Sequence, residues 1–259
     1  MAAWVLITGA SEGFGREFAD LAAADGYNLI LSARQADKLQ LLAADLEKTY
    51  GVLAVVIPAD LSQPLQADRL WSAANDGRVV EILVNNAGLG RNGAFADPDG
   101  WAREQASIAV NIAAATVLMK RAVVAMVARG SGRVLNVASV AGFLPGPNMA
   151  VYHATKAYFL SLSEAVGSEI AGSGVTVTAL CPGPTQTNFF AADDAERQTL
   201  LTKIPLPSAR SVAQKGWTAM LRGRRLIVPG LDNKLFTFLP RLLPRRLIAA
   251  VTGQFLKRR

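Results

Sequence analysis

The chain has 259 residues, of which 51% are apolar and 18% charged. This is a globular composition, long enough for one sizeable core. One cysteine, Cys181, excludes an internal disulfide and a multi-cysteine zinc site; one histidine, His153, excludes a centre of two or more imidazoles and argues against a Ser-His-Asp hydrolase.

Apolar strands alternate with helical patterns along the chain. Trp4–Ile7 reads as a first strand, followed by a glycine-rich turn and a helix from about Arg16 to Asp25 that Gly26 ends. Asn28–Ser32 is a second strand, and Leu39, Leu42 and Leu46 have helix-face spacing. Val52–Ile57 is a third strand stopped by Pro58. A helix follows over about Pro64–Ala74, with Pro64 in its first turn and Asp60 or Ser62 as N-cap. Glu81–Val84 is the fourth strand. Trp101–Arg129 reads as one long helix, stopped by Gly130-Ser131-Gly132. Arg133–Val137 is the fifth strand, Tyr152–Ile170 a helix and Val175–Leu180 the sixth strand. Leu226–Val228 is a candidate seventh. This alternation implies an α/β fold with a parallel, doubly wound sheet covered on both faces. No linker or repeat divides it, so the expectation is one domain over 1–259, with a core to about 230 and a basic extension over about 231–259.

Thr8–Gly15 reads TGASEGFG between the first strand and the first helix. Gly9, Gly13 and Gly15 leave room for close backbone approach, and a helix N-terminus offers free N–H groups to a pyrophosphate. The spacing is Gly-x-x-x-Gly-x-Gly rather than the commoner Gly-x-Gly-x-x-Gly. The second strand ends in Ser32-Ala33-Arg34. No carboxylate stands there to bond a ribose hydroxyl, and the Arg34 fork suits a 2′-phosphate, so NADP(H) is favoured over NAD(H). Glu12 in the first loop is an opposing negative charge. Asp60-Leu61 stands where an adenine edge would be read.

Tyr152 and Lys156 are four residues apart and share a helix face. A lysine beside a phenol favours the phenolate, so the Tyr152 pKa is expected below the usual 10, as suits a general acid or base. Ser139 ends the fifth strand at the carboxyl edge, where ligands bind in open α/β sheets.

With these motifs the chain resembles the short-chain dehydrogenase/reductase family over about Trp4–Thr187. The matching residues are Thr8-Gly-x-x-x-Gly-x-Gly15, Asp60, Asn85-Asn86-Ala87-Gly88, Asn111, Ser139, Tyr152-x-x-x-Lys156, Pro182-Gly183 and Thr187, in the family's order. The resemblance implies a Rossmann-type domain, a nicotinamide cofactor, hydride transfer between a carbonyl and an alcohol, and a homo-oligomer. Tyr152 is then the proton donor or acceptor, Ser139 orients the carbonyl, and Lys156 bonds the nicotinamide ribose. Asn111 holds a water behind Lys156. Gly9, Ser11, Gly13, Phe14, Gly15, Arg34, Asp60, Leu61, Asn86, Ala87 and Gly88 are expected around the adenosine and phosphates, and Pro182, Gly183, Thr185 and Thr187 around the nicotinamide. His153 is read as a packed residue and Cys181 as a small buried one.

Phe143, Leu144 and Met149, with Phe189 and Phe190 in the stretch after Pro182, are expected to line an apolar pocket under a covering loop, which suits a lipophilic ketone or alcohol. The formal charge of +7 is uneven. Residues 222–259 carry ten Lys/Arg against Asp232 alone, a net of +9, and the rest carries 17 basic and 19 acidic side chains, a net of −2. From Asn233 onward, Leu, Phe and Ile alternate with Arg and Lys, broken by Pro240 and Pro244. These read as short amphipathic helices docked on the domain, on another subunit or at a membrane interface. Nucleic acid is not expected, since no stacking platform accompanies the charge. The start MAAWVLITGA has no basic region ahead of an apolar one, and no run of 18 uncharged apolar residues occurs, so a cytoplasmic location, with or without membrane association through the basic tail, is the expectation.

Overall fold

A computed structural model describes residues 3–187 and 206–256. Seven strands form one sheet: β1 (Trp4–Thr8), β2 (Asn28–Ser32), β3 (Ala54–Val56), β4 (Val80–Asn85), β5 (Gly132–Val137), β6 (Val175–Leu180) and β7 (Leu226–Ile227). Their order is β3-β2-β1-β4-β5-β6-β7, and every pairing is parallel. The helices are α1 (Gly13–Ala24), α2 (Ala36–Tyr50), α3 (Gln66–Asn75), α4 (Trp101–Ile108), α5 (Ala115–Arg129), α6 (Ala150–Glu169), α7 (Ala209–Leu221), α8 (Leu231–Phe238) and α9 (Arg245–Leu256).

The period of two along each strand divides the core between the two faces of the sheet. Val5, Ile7, Leu29 and Leu31 pack with α1, α2 and α7, where Phe18, Leu39 and Trp217 are buried. Leu6, Ile30 and Leu83 point the other way, onto Leu70, Leu118 and Met119 of α3 and α5. Both faces are therefore apolar, as the near-continuous hydrophobic strands require. The strand order reverses between β1 and β4, so the turn after β1 opens at the switch point where doubly wound sheets bind ligands.

Several boundaries move from their sequence-based positions. The first helix begins at Gly13, not Arg16, so the third glycine of the turn is already helical. The third strand pairs only over Ala54–Val56. The helix expected from Pro64 starts at Gln66, after Leu65 in the left-handed region at φ +63°, and neither Asp60 nor Ser62 caps it. Asp60 instead holds the preceding turn, accepting from the Ser62 N–H at 3.0 Å and the Ser62 hydroxyl at 2.7 Å. The long helix expected over 101–129 is continuous in path but interrupted by a π turn over Ala109–Ala114. The stretch Pro98–Arg129 is, by length and composition, apolar enough to cross a membrane, which the run-length criterion did not register. In the fold it is a sheet-covering helix, with Leu118, Met119, Ala122 and Met126 buried.

Candidate active site

The glycine turn is built to bring backbone close to a ligand. Gly9 has φ +65° and Gly13 φ +55°, conformations that favour glycine. A Cβ on Gly15 would overlap the carbonyl oxygen of Gly9, and one on Gly9 would lie 2.9 Å from Asn86 Nδ2. Among the described residues, a Cβ on Gly13 would meet only Thr187, at an ordinary contact distance of 3.7 Å. Glu12, the N-cap of α1, is exposed and offers no side-chain cap, and no acidic residue occupies the first turn. The N-terminal N–H groups of α1 are thus left for an anion. This cradle fits the pyrophosphate of a nicotinamide dinucleotide.

The turn is braced from β4. The buried Thr8 hydroxyl accepts from the N–H groups of Asn86 and Ala87, both at 3.0 Å. The Asn86 amide donates to the carbonyls of Thr8 at 2.8 Å and Gly9 at 3.2 Å. Asn85 donates to the Ala115 carbonyl at 2.9 Å. Asn86, expected at the cofactor, therefore uses its side chain to hold the turn, while Ala87 and Gly88 lie half-buried beside it.

Arg34 is exposed past the end of β2, with no hydrogen bond or ion pair among the described residues. Asp60 lies near it, and its carboxyl is held below the usual range by the Ser62 hydroxyl, with a smaller contribution from the Arg34 guanidinium. Leu61 is buried in the core. Ser11 and Phe14 are half-buried in the glycine turn.

Ser139 follows β5 and begins a 3-10 turn over Val140–Phe143, its hydroxyl accepting from the Ala141 N–H at 3.1 Å. The same hydroxyl shares a hydrogen bond with Tyr152. Lys156 is buried, donates to the Val137 carbonyl at 2.8 Å, and places Nζ 5.8 Å from the centre of the Tyr152 ring. A serine, a phenol and an ammonium thus converge at the carboxyl edge of β5.

One expectation about this cluster is corrected. Burial pushes the Tyr152 phenol up to about 12, the Ser139 hydrogen bond opposing it only in part. Burial also brings the Lys156 ammonium down to about 8. Desolvation outweighs the attraction expected between the two groups, and Lys156 donates to the Val137 carbonyl. The protein alone therefore holds Tyr152 as a neutral proton donor at pH 7.

Asn111 sits inside the π turn. Its side chain accepts from the Leu89 N–H at 2.9 Å and donates to the Leu89 carbonyl at 2.8 Å and to Thr155 Oγ1 at 3.0 Å. Asn111 thereby ties the segment after β4 to α6 one residue before Lys156. His153 is buried, with Nδ1 2.9 Å from the Leu144 carbonyl, so it fastens the loop after Ser139. Cys181 is fully buried, and burial raises its thiol to about 12, far from a nucleophile. The Pro182 carbonyl accepts from the Val140 N–H at 3.0 Å, Thr185 bonds the Gly183 carbonyl at 2.9 Å, and Thr187 faces Gly13.

Of the expected apolar lining, Leu144 and Met149 are buried in packing, and Phe143 packs against the cluster around Leu160 and Cys181. Phe189 and Phe190 lie outside the described residues, as does most of the expected covering loop. One supporting feature has no sequence signal. Arg91, 11% exposed, pairs with Glu104 at 3.1 Å and with Asp97. Its guanidinium fills the space over Gly93 and Gly100.

Comparison with known proteins identifies the family of this fold. A model of the short chain dehydrogenase family matches residues 3–198. A very-long-chain 3-oxoacyl-CoA reductase of Phaeosphaeria nodorum is 33% identical over 241 residues, 92% of this chain and 67% of the relative. A short-chain dehydrogenase from Sphingobium yanoikuyae, solved in complex with NADPH, superposes with a TM-score of 0.82 at 28% identity, covering 94% of this chain and 96% of that one. A short chain dehydrogenase/reductase from Burkholderia phymatum, solved in complex with NAD, gives 0.81 at 26% identity over 92% of each chain. The chain belongs to the short-chain dehydrogenase family, oxidoreductases that interconvert CH–OH and C=O groups with a nicotinamide cofactor.

Proposed function

We propose that this protein catalyses NADP(H)-linked interconversion of a lipophilic ketone or aldehyde and its alcohol, with Tyr152 as general acid and base. The observation that carries this reading is the meeting of Ser139, Tyr152 and Lys156 at the carboxyl edge, beside an uncapped helix N-terminus at the switch point. The nicotinamide cofactor supplies or accepts the hydride when bound. The rest is positioning and proton handling by the chain. Ser139 holds the substrate oxygen next to the phenol, and Tyr152, neutral at pH 7, gives that oxygen its proton in the reducing direction. In the oxidising direction Tyr152 must first lose its proton, so this direction gains with rising pH. Lys156, fixed on Val137, keeps two further N–H donors for a ribose hydroxyl.

One observation favours NADP(H): Arg34 is exposed, with no hydrogen bond or ion pair among the described residues. The name of the Phaeosphaeria nodorum relative, a reductase of very-long-chain 3-oxoacyl-CoA, supports a lipophilic substrate. The test is a titration with NADPH and with NADH, followed by quenching of tryptophan fluorescence. NADPH is expected to bind about tenfold or more tighter than NADH, and Arg34→Ala to remove most of that difference by taking away a charged phosphate partner. Equal or tighter NADH binding in the unaltered protein contradicts the NADP(H) reading.

A further inference from the structure

The end of the chain departs from the pattern of a solvated surface. Among the described residues, 21 large apolar side chains are exposed, and ten of them fall within residues 231–256. The helix α9 shows the reason. Ile248, Thr252 and Leu256 form one row, buried on the domain, and Leu247, Val251 and Phe255 form the adjacent row, which is exposed. A helix with only one face to cover would carry polar residues on the second row. On α8, Thr237 is buried while Leu231 is 82% and Leu235 60% exposed. The charges beside these rows are predominantly positive. Lys234, Arg241, Arg245 and Arg246 are exposed, and Asp232 is the only acid from residue 231 to the end, where Lys257, Arg258 and Arg259 follow.

This surface adjoins the active site. The helix α8 packs on the 3-10 turn that follows Ser139. The Asn233 side chain fills the space over Gly183, and Gly253 of α9 approaches Pro147, where a Cβ would lie 3.2 Å from the proline ring.

We propose that α8 and α9 dock the protein on an anionic lipid surface, with the mouth of the Ser139–Tyr152 site next to the bilayer, so that substrate exchanges directly with the membrane. The docking stands on the exposed apolar rows and their charge; the substrate route rests also on the lipophilic substrate proposed above. Amphipathic helices with basic residues flanking an apolar face partition into the interface of anionic membranes. A second copy of the chain is a poorer occupant, because a two-fold contact would bring the same positive face against itself.

The test is flotation of the full-length protein with vesicles of phosphatidylcholine alone and of phosphatidylcholine mixed with phosphatidylglycerol. The protein is expected to float with the mixed vesicles and about tenfold less with the neutral ones, as for a basic surface helix. The triple substitution Leu235→Glu, Leu242→Glu, Leu247→Glu, at exposed positions, is expected to abolish flotation while NADPH binding stays unchanged. It should also slow turnover of a long-chain ketone dissolved in the vesicles and leave turnover of a water-soluble ketone unaltered. Failure of the unaltered protein to float with anionic vesicles overturns the docking. Undiminished flotation of the triple variant overturns it too, as does conversion of a dimer to a monomer by that variant without vesicle binding. Flotation without turnover of either ketone would contradict the proposed reaction and leave the docking supported.

Discussion

Single atoms decide how the glycine turn works. A methyl group on Gly15 has no space, because the Gly9 carbonyl occupies its position and Asn86 Nδ2 lies 2.8 Å away. Gly15→Ala must push the turn off the α1 N-terminus, and it is expected to weaken nicotinamide dinucleotide binding at least about tenfold by displacing the aligned N–H donors. Binding titration of the folded variant checks this, and unchanged affinity would remove the turn from the cofactor site. The charge state of Lys156 is decided just as locally. Its pKa falls from 10.5 to about 8 on folding. Between those values the unfolded chain holds a proton that the folded chain has released, so stability must rise with pH across that window. Compared with Lys156→Met, the unaltered protein should gain about 2–3 kcal/mol between pH 7 and pH 10, measured by urea unfolding without cofactor. Tyr152 acts in the opposite sense only above pH 10, where the unfolded phenol ionises before the folded one.

The elements carry the site on fastenings that span long separations in sequence. Arg91 joins the loop after β4 to α4 through Glu104, which is 8% exposed. Arg91→Ala would leave that carboxylate buried and without its partner, at a cost of roughly 3–5 kcal/mol. The melting temperature is expected to drop by roughly 10 °C, at about 2–4 °C per kcal/mol for a domain of this size. A calorimetric shift of a degree or less would show that the pair is not holding the loop. Such fastenings mark where sequence reading stops. Strands β1, β2 and β6 and the placing of Tyr152 and Lys156 on one helix face were legible because buried strands and i, i+4 spacing leave local patterns. The role of Asn86 was not, since its amide reaches back 78 residues to Thr8. The π turn at Asn111 leaves no mark in a continuous apolar helix, and the lowered charge preference of Tyr152 depends on burial that no spacing reveals. The start of α3 was misplaced because Leu65 takes a left-handed backbone that proline and aspartate signals do not foretell.

At the scale of the whole molecule, the parallel order places four strand ends along one edge and gives each a separate task. The end of β1 carries the phosphate cradle, β4 braces it, β5 presents Ser139, and β6 leads into Pro182 and Gly183. Apart from that division of labour stand the exposed Lys234, Arg241, Arg245 and Arg246 of the terminal helical segment, whose Asn233 and Gly253 approach Gly183 and Pro147. The central claim is that this edge performs proton transfer to a carbonyl oxygen through Tyr152. It is tested most directly by Tyr152→Phe, which removes one oxygen and leaves the ring packing in place. Assayed with NADPH and a long-chain ketone, turnover is expected to fall by about 10²–10⁴-fold, the usual contribution of a positioned acid or base, while NADPH affinity stays within about twofold. Turnover at the unaltered rate, with NADPH still bound, would contradict the account.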